Sequence, residues 1–287
     1  MGLVVFDIGG TAVKHGYFDN QVLTEQSKFE TPTTFEEMKR EMLAVLEDHQ
    51  DKDVQGIAIS SPGAVNVAER RIDGISAVSY LHHFPIFDEL EKAFNLPVTI
   101  ENDANCAGIA EIELGAGVEA TNAVFVVLGT GVGGSIFINR NIYKGSHLFG
   151  GEFGMMIEPS KRSLSSVGTI VKVAGKYQER TGELTDGKRI FELIESGDDL
   201  AKELLDEMYW SIAHVLYNLQ VSIDPELVII GGGVSARKEI ATEISNRLLE
   251  LLTKQAVPEI MPEIKTCHFS NDANLLGAAM NFVKLNS

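Results

Sequence analysis

An α/β fold with an internal duplication is what this sequence predicts, and three observations lead there. Short apolar runs of strand character alternate with helix-patterned segments along the 287 residues. A strand, a glycine turn and a second strand follow one another twice, over residues 3–18 around Asp7-Ile8-Gly9-Gly10-Thr11 and over residues 123–138 around Gly129-Thr130-Gly131. Asn102-Asp103-Ala104-Asn105 returns as Asn271-Asp272-Ala273-Asn274, and each copy carries a glycine at its seventh place and an alanine at its ninth. The order is the same in both halves, hairpin first and NDAN helix last, which favours duplication over chance similarity across nine residues.

The elements follow in turn. Residues 3–6 are continuously apolar and read as a strand, the glycines turn the chain, and residues 12–18 resume a strand pattern. Residues 36–49 place Met38, Met42, Val45 and Leu46 on one helical face, and residues 86–94 form a shorter amphipathic helix. Val98-Thr99-Ile100 leads into the first NDAN helix. After the apolar run 123–128 and the second glycine turn, Ile136, Phe137 and Ile138 oppose an immediate helix because β-branched and aromatic residues favour strands. The pattern G-x-G-x-x-G at Gly129, Gly131 and Gly134 binds a dinucleotide only where its last glycine opens a helix, so a nicotinamide oxidoreductase is the poorer reading. The longest helix spans about residues 200–221, with Tyr209 and Trp210 read as packing. A buried strand at 227–230 ends in Gly231-Gly232-Gly233, a helix covers 238–252, and residues 264–267 form the strand before the second NDAN.

Composition excludes several functions. The formal net charge of -17 repels nucleic acid and anionic membrane surfaces, whereas a small phosphorylated ligand neutralised by a metal ion stays compatible. Two cysteines, Cys106 and Cys267, give no disulfide framework or cysteine-rich zinc module, and a reduced, cytoplasmic setting is expected. The opening MGLVVFDIGG lacks a basic stretch and is broken by Asp7, which marks a strand and not a signal peptide. No apolar run approaches the ~20 residues of a membrane span.

Asp7 stands at the end of a hydrophobic strand, where burial is costly without a partner, and a cation is the natural one. Together with Gly9, Gly10, Thr11 and Lys14 it forms a DxGGTxxK pattern. This pattern, the LGTGVGG hairpin, the ENDAN helix start and the VIIGGGVS turn resemble, in order, the first phosphate, second phosphate, connecting and adenosine segments of the ROK sugar kinases. That family belongs to the actin-like ATPase superfamily (ribonuclease H-like fold). The resemblance implies two α/β domains flanking a nucleotide and sugar cleft, residues 1–102 plus 272–287 and residues 103–271, with closure on the sugar excluding water.

It further implies that Asp7 holds Mg²⁺ through water, that Gly9, Gly10, Thr11, Lys14, Gly129, Thr130 and Gly131 surround the phosphates of ATP, and that Gly231, Gly232 and Gly233 lie beside the adenosine. Asp103 would accept the proton of the attacking sugar hydroxyl. Asn102 and Asp103 also suit a helix N-cap, and a helix N-terminus keeps a carboxylate ionised while reducing its basicity. Asp272 shares the local sequence; the resemblance puts the base in the first copy.

The run Gly150-Gly151-Glu152-Phe153-Gly154-Met155 resembles the family's sugar-contacting GE-x-GH segment, with Glu152 matching and Met155 in place of histidine. Ser163-Leu164-Ser165-Ser166-Val167-Gly168-Thr169 replaces the cysteine-rich segment, so no structural zinc is expected, and a further sugar-binding glutamate has no counterpart. Ser61, Gly63, Asn102, Asp103, Glu152 and His147 are the expected sugar contacts, His147 compensating for the lost histidine. The implied reaction is ATP-dependent phosphorylation of a free hexose at the 6-hydroxyl of glucose or mannose, with N-acetylmannosamine or a β-glucoside as alternative substrates within the family. A sugar-sensing regulator is disfavoured, since the first strand at Leu3 leaves no room for a helix-turn-helix. A homodimer is expected from the family and from base rates.

Overall fold

The computed structural model describes residues 1–286, apart from the side chain of Lys238. The chain divides into two compact units, the first made of Met1–Gly115, Gly145–Phe149 and the segment from Asn271 onward, the second of Ala116–Lys144 and Gly150–Ser270.

In the first unit, β1 (Gly2–Ile8), β2 (Ala12–Asp19) and β3 (Val22–Glu30) form an antiparallel meander, and α1 (Phe35–Glu47) returns the chain to β4 (Val54–Ser61). A small hairpin of β5 (Ala64–Asn66) and β6 (Arg71–Asp73), then α2 (Ile86–Phe94), precede β7 (Val98–Asn102) and α3 (Asp103–Leu114). The sheet order is β3-β2-β1-β4-β7, with β4 parallel to both β1 and β7. Every residue of β1 is buried, as a central strand covered on both faces requires. Met38, Met42 and Val45 of α1 join Val4, Phe6 and Ile59 in one core, in agreement with the helical stripe read from the sequence.

The second unit repeats the plan. Here β8 (Ala123–Leu128), β9 (Val132–Ile138) and β10 (Asn141–Ile142) form the meander; α4 (Leu164–Val167), α5 (Ile170–Thr181), α6 (Gly187–Glu195) and α7 (Asp199–Ile223) follow, before β11 (Leu227–Gly231), α8 (Lys238–Lys254) and β12 (Glu263–Thr266). The order β10-β9-β8-β11-β12 matches that of the first sheet strand for strand. The second glycine turn runs directly into β9 and not into a helix. Tyr209 is buried in the core of this unit and Trp210 is flanked by the cations of Arg247 and Lys254, so both pack as expected.

The final helix, α9 (Ala273–Leu285), returns to the first unit and lies against α3. A Cβ on Gly277 would stand 1.7 Å from the carbonyl oxygen of Cys106, so the two NDAN helices approach as closely as glycine alone permits. This contact carries the first unit on to Gly115, past the expected boundary after Asn102, and residues 145–149 join it as well. Ser287, the last residue of the expected segment 272–287, lies outside the described residues. No helix among the described residues is long and apolar enough to cross a membrane.

Candidate active site

In the first unit the site residues gather where the parallel strands end. Asp7 pairs in register with Ser60, Ser60 with Glu101, and Ser61 with Asn102, so the C-terminal ends of β1, β4 and β7 form one row, the edge on which open α/β sheets place ligands. Asp7 is 8 % exposed. The Ser60 hydroxyl donates to its Oδ1 at 2.8 Å and the Asn274 amide donates to the same oxygen at 2.9 Å. No hydrogen bond among the described residues engages Oδ2, so the carboxylate is oriented by one oxygen and has the other to offer, which suits a hydrated divalent cation. Asp7→Asn retains the Oδ1 acceptor; we expect it to raise the Mg²⁺ concentration needed for half-maximal activity by ~10–100-fold, read from Mg²⁺ titrations at fixed ATP, with the melting temperature little changed.

Asn274 was not among the expected site residues, although the repeat contained it. It occupies the place that Asn105 holds in the first copy, and the Asn105 amide donates to Glu101 at 2.9 Å. Each copy thus sends its second asparagine to a carboxylate at a strand end. Lys14, opposite Asp7 in the β1–β2 register, donates from Nζ to the carbonyl of Asn271 at 3.2 Å. The turn between them is closed by Gly9 N–H to the Ala12 carbonyl, and Thr31 braces it twice, through its hydroxyl to the Gly9 carbonyl at 2.6 Å and its N–H to the Thr11 carbonyl at 3.1 Å. Gly10 and Thr11 remain exposed.

Asn102 caps α3 by accepting the Asn105 N–H, and its amide donates to the Gly63 carbonyl at 3.0 Å. Gly63 has φ +101°, and a Cβ there would lie 2.7 Å from both the His82 ring and Ile72, so only glycine fits. Ser61 is fully buried with its hydroxyl on the Pro62 carbonyl. Asp103 is half-buried and accepts the Ala104 N–H at 2.8 Å. Burial pushes its carboxyl above the ordinary aspartate range; the Ala104 N–H pulls it back, and the neighbouring charge of Asp7 adds to the rise. The expected depression by the helix N-terminus is therefore outweighed by desolvation. His147 belongs to this unit, is exposed, and makes no hydrogen bond among the described residues.

In the second unit the turn after β8 is closed by the Gly129 N–H on the Gly131 carbonyl, with Thr130 and Gly131 exposed. Gly231 pairs with Val127; Gly232 has φ +93°, and a Cβ on it would lie 2.3 Å from the Leu128 carbonyl, which draws the two glycine turns together. Gly129 and Gly233 line one cavity of about 360 Å³, walled by Ile170, Phe191 and Val234 and bordered by Arg237. The Arg237 guanidinium stands 3.8 Å over the Phe191 ring. The volume lies within the range of small-molecule sites, and an apolar wall with a cation at its rim suits a nucleoside carrying phosphates. Glu152 is exposed at the start of the turn Phe153–Met155, and Met155 is 63 % exposed.

One five-stranded plan used twice, with a glycine turn after the first strand of each sheet, defines an actin-like ATPase fold. The sequence model of the ROK family matches residues 3–284, and the chain belongs to that family of sugar kinases. A β-glucoside kinase of Listeria innocua serovar 6a is 33 % identical over 99 % of this chain and 98 % of its own length. The crystal structure of a ROK family protein from Streptococcus pneumoniae TIGR4 in complex with sucrose superposes with a TM-score of 0.89 at 32 % identity, covering 100 % of this chain and 99 % of that one. A ROK family glucokinase from Streptomyces griseus in complex with glucose and AMPPNP gives a TM-score of 0.75 at 25 % identity, covering 97 % of this chain and 98 % of that one.

Proposed function

We propose that this kinase phosphorylates the 6-hydroxyl of a β-glucoside. The sugar oxygen forms a bond to the γ-phosphorus of ATP, the bond from that phosphorus to the β,γ-bridging oxygen breaks, and ADP leaves. Asp103 receives the hydroxyl proton, a role favoured by its raised affinity for protons. The transition state of phosphoryl transfer needs positioning and charge neutralisation above all. With the Gly9 and Gly129 N–H groups spent closing the turns, the backbone amides of Gly10, Thr11, Thr130 and Gly131 supply donors to the phosphates, and Gly231–Gly233 border the adenosine. Mg²⁺, held by Asp7 through water, would neutralise phosphate charge.

Met155 is the observation that carries the choice of substrate. It follows Glu152 by three residues, is 63 % exposed, and stands where the family has a histidine. A thioether is a weak acceptor and no donor, so it favours an apolar group over a sugar hydroxyl. An aglycone replacing the anomeric hydroxyl presents such a group. The β-glucoside kinase relative supports the same reading.

Free glucose or mannose is the second reading, favoured by the glucokinase likeness. Sugar-dependent ADP formation across aryl β-glucosides, cellobiose, glucose, mannose and N-acetylmannosamine separates the two. We expect the highest kcat/KM on a β-glucoside, with Met155→His moving the ratio toward free hexose by ~10-fold or more. A wild-type preference for free glucose or mannose overturns the β-glucoside reading; no ADP with any sugar overturns both.

A further inference from the structure

The segment that replaces the family's cysteine-rich stretch contains a hydroxyl placed against the second glycine turn. Ser165, in α4, accepts the Val132 N–H at 2.9 Å, and its hydroxyl donates back to the Val132 carbonyl at 3.3 Å. One side chain thus engages both polar groups of the residue that directly follows Gly129-Thr130-Gly131. Space around it is tight. A Cβ on Gly131 would stand 3.3 Å from the Ser165 Oγ, and one on Gly154 would stand 2.2 Å from that oxygen and 2.1 Å from the Val132 carbonyl.

The helix carrying Ser165 is fastened to the segment after Glu152. The Leu164 N–H donates to the Met156 carbonyl at 2.9 Å, and Ile157 forms a β-bridge with Ser163. A continuous run of backbone therefore leads from Glu152 through Met156 and α4 to the turn. The first glycine turn has a counterpart, since Thr31 grips the Gly9 and Thr11 carbonyls from a neighbouring segment. Bracing by one hydroxyl residue is thus common to both turns.

We propose that Ser165 is a positioning residue for phosphoryl transfer, holding the Gly129–Gly131 turn in its phosphate-receiving shape and fixing it to the Glu152–Met156 segment. This rests on reading that turn as a phosphate site. Backbone donors stabilise a developing charge only when they are already oriented, so loosening Val132 weakens ATP use before it affects sugar binding.

The test is Ser165→Ala, with ATP and sugar varied separately and the melting temperature measured alongside. Val132 is buried and its N–H would lose its partner, so we expect KM for ATP to rise by about tenfold while KM for sugar stays within about twofold. Gly131→Ala should harm ATP use more in the wild-type background than beside Ser165→Ala, where the crowding oxygen is gone. Parallel changes in both KM values, or strictly additive effects of the two substitutions, would overturn the proposal. Gly131→Val separates it from the underlying reading. If that variant leaves KM for ATP unchanged, the turn is not a phosphate site; if it raises KM while Ser165→Ala does not, the role of Ser165 alone falls. Should Ser165→Ala fold too poorly to assay, Ser165→Cys, whose thiol is only a weak acceptor for the Val132 N–H and a weak donor, is expected to give the same split in KM.

Discussion

Asp103→Asn is expected to lower kcat by ~10²–10⁴-fold while leaving the protein as stable as before or more so. The loss follows from removing the only group assigned to take the hydroxyl proton. The stability result follows from the electrostatics of the same site. Asn keeps an oxygen for the Ala104 N–H but carries no charge, and the aspartate charge is opposed by burial and by Asp7. A carboxyl whose folded pKa exceeds its unfolded value binds protons more readily in the folded protein. Its ionisation therefore costs stability progressively as pH rises from the unfolded pKa through the folded one, and the cost is complete above that window. Relief by Asn should therefore be greater at pH 7 than at pH 4. Thermal unfolding at both values checks this, and a melting temperature lowered at pH 7 would contradict it. In the wild type the acid limb of kcat/KM should fall above the ordinary aspartate range and be missing from the residual activity of the variant. Activity near wild type in Asp103→Asn would remove Asp103 from the mechanism.

Gly277→Val should have the largest effect on the fold. The obstacle its Cβ would meet, 1.7 Å away, is the Cys106 carbonyl, a backbone atom that no rotamer change can move aside. Either α9 or α3 must shift, and overpacking of this kind costs ~1–3 kcal/mol and occasionally more, against a total stability of ~5–15 kcal/mol. Both helices begin at site residues. Moving α9 draws Asn274 from Asp7, and moving α3 displaces Asn102 and Asp103. We expect a lower urea midpoint and reduced soluble yield, with Gly277→Ala retaining more stability but showing a raised Mg²⁺ requirement. A wild-type midpoint for Gly277→Val would mean that the helices cross differently.

What the sequence made legible was whatever is encoded locally or by repetition. Ile136, Phe137 and Ile138 identified a hairpin in place of a dinucleotide-binding helix, and the two NDAN copies matched two helices that pack on each other. The seventh-place glycine of the second copy was visible before its purpose was, because purpose here is a distance to Cys106. The braces were hidden. Thr31 and Ser165 act across 22 and 33 residues on turns whose own sequence carries no trace of them. Ile170 and Phe191 read as ordinary apolar positions of amphipathic helices, and only folding makes them a cavity wall. The net rise in the Asp103 pKa was hidden for a related reason: the lowering effect of a helix N-terminus is local and visible in sequence, whereas the desolvation that outweighs it sums over everything packed nearby.

The Asn274 bond to Asp7 joins residues 267 positions apart and so has a consequence in time. Synthesis proceeds from the N-terminus, and early segments begin to fold while later ones are still being made. β1 and Ser60 can meet once β4 has emerged, so Asp7 gains its first donor early. Its second arrives only when α9 has left the ribosome and settled against α3. A nascent chain that already displays both glycine turns therefore still holds an Asp7 carboxylate lacking one of its two donors, and the site waits for a helix made long after the strand it serves.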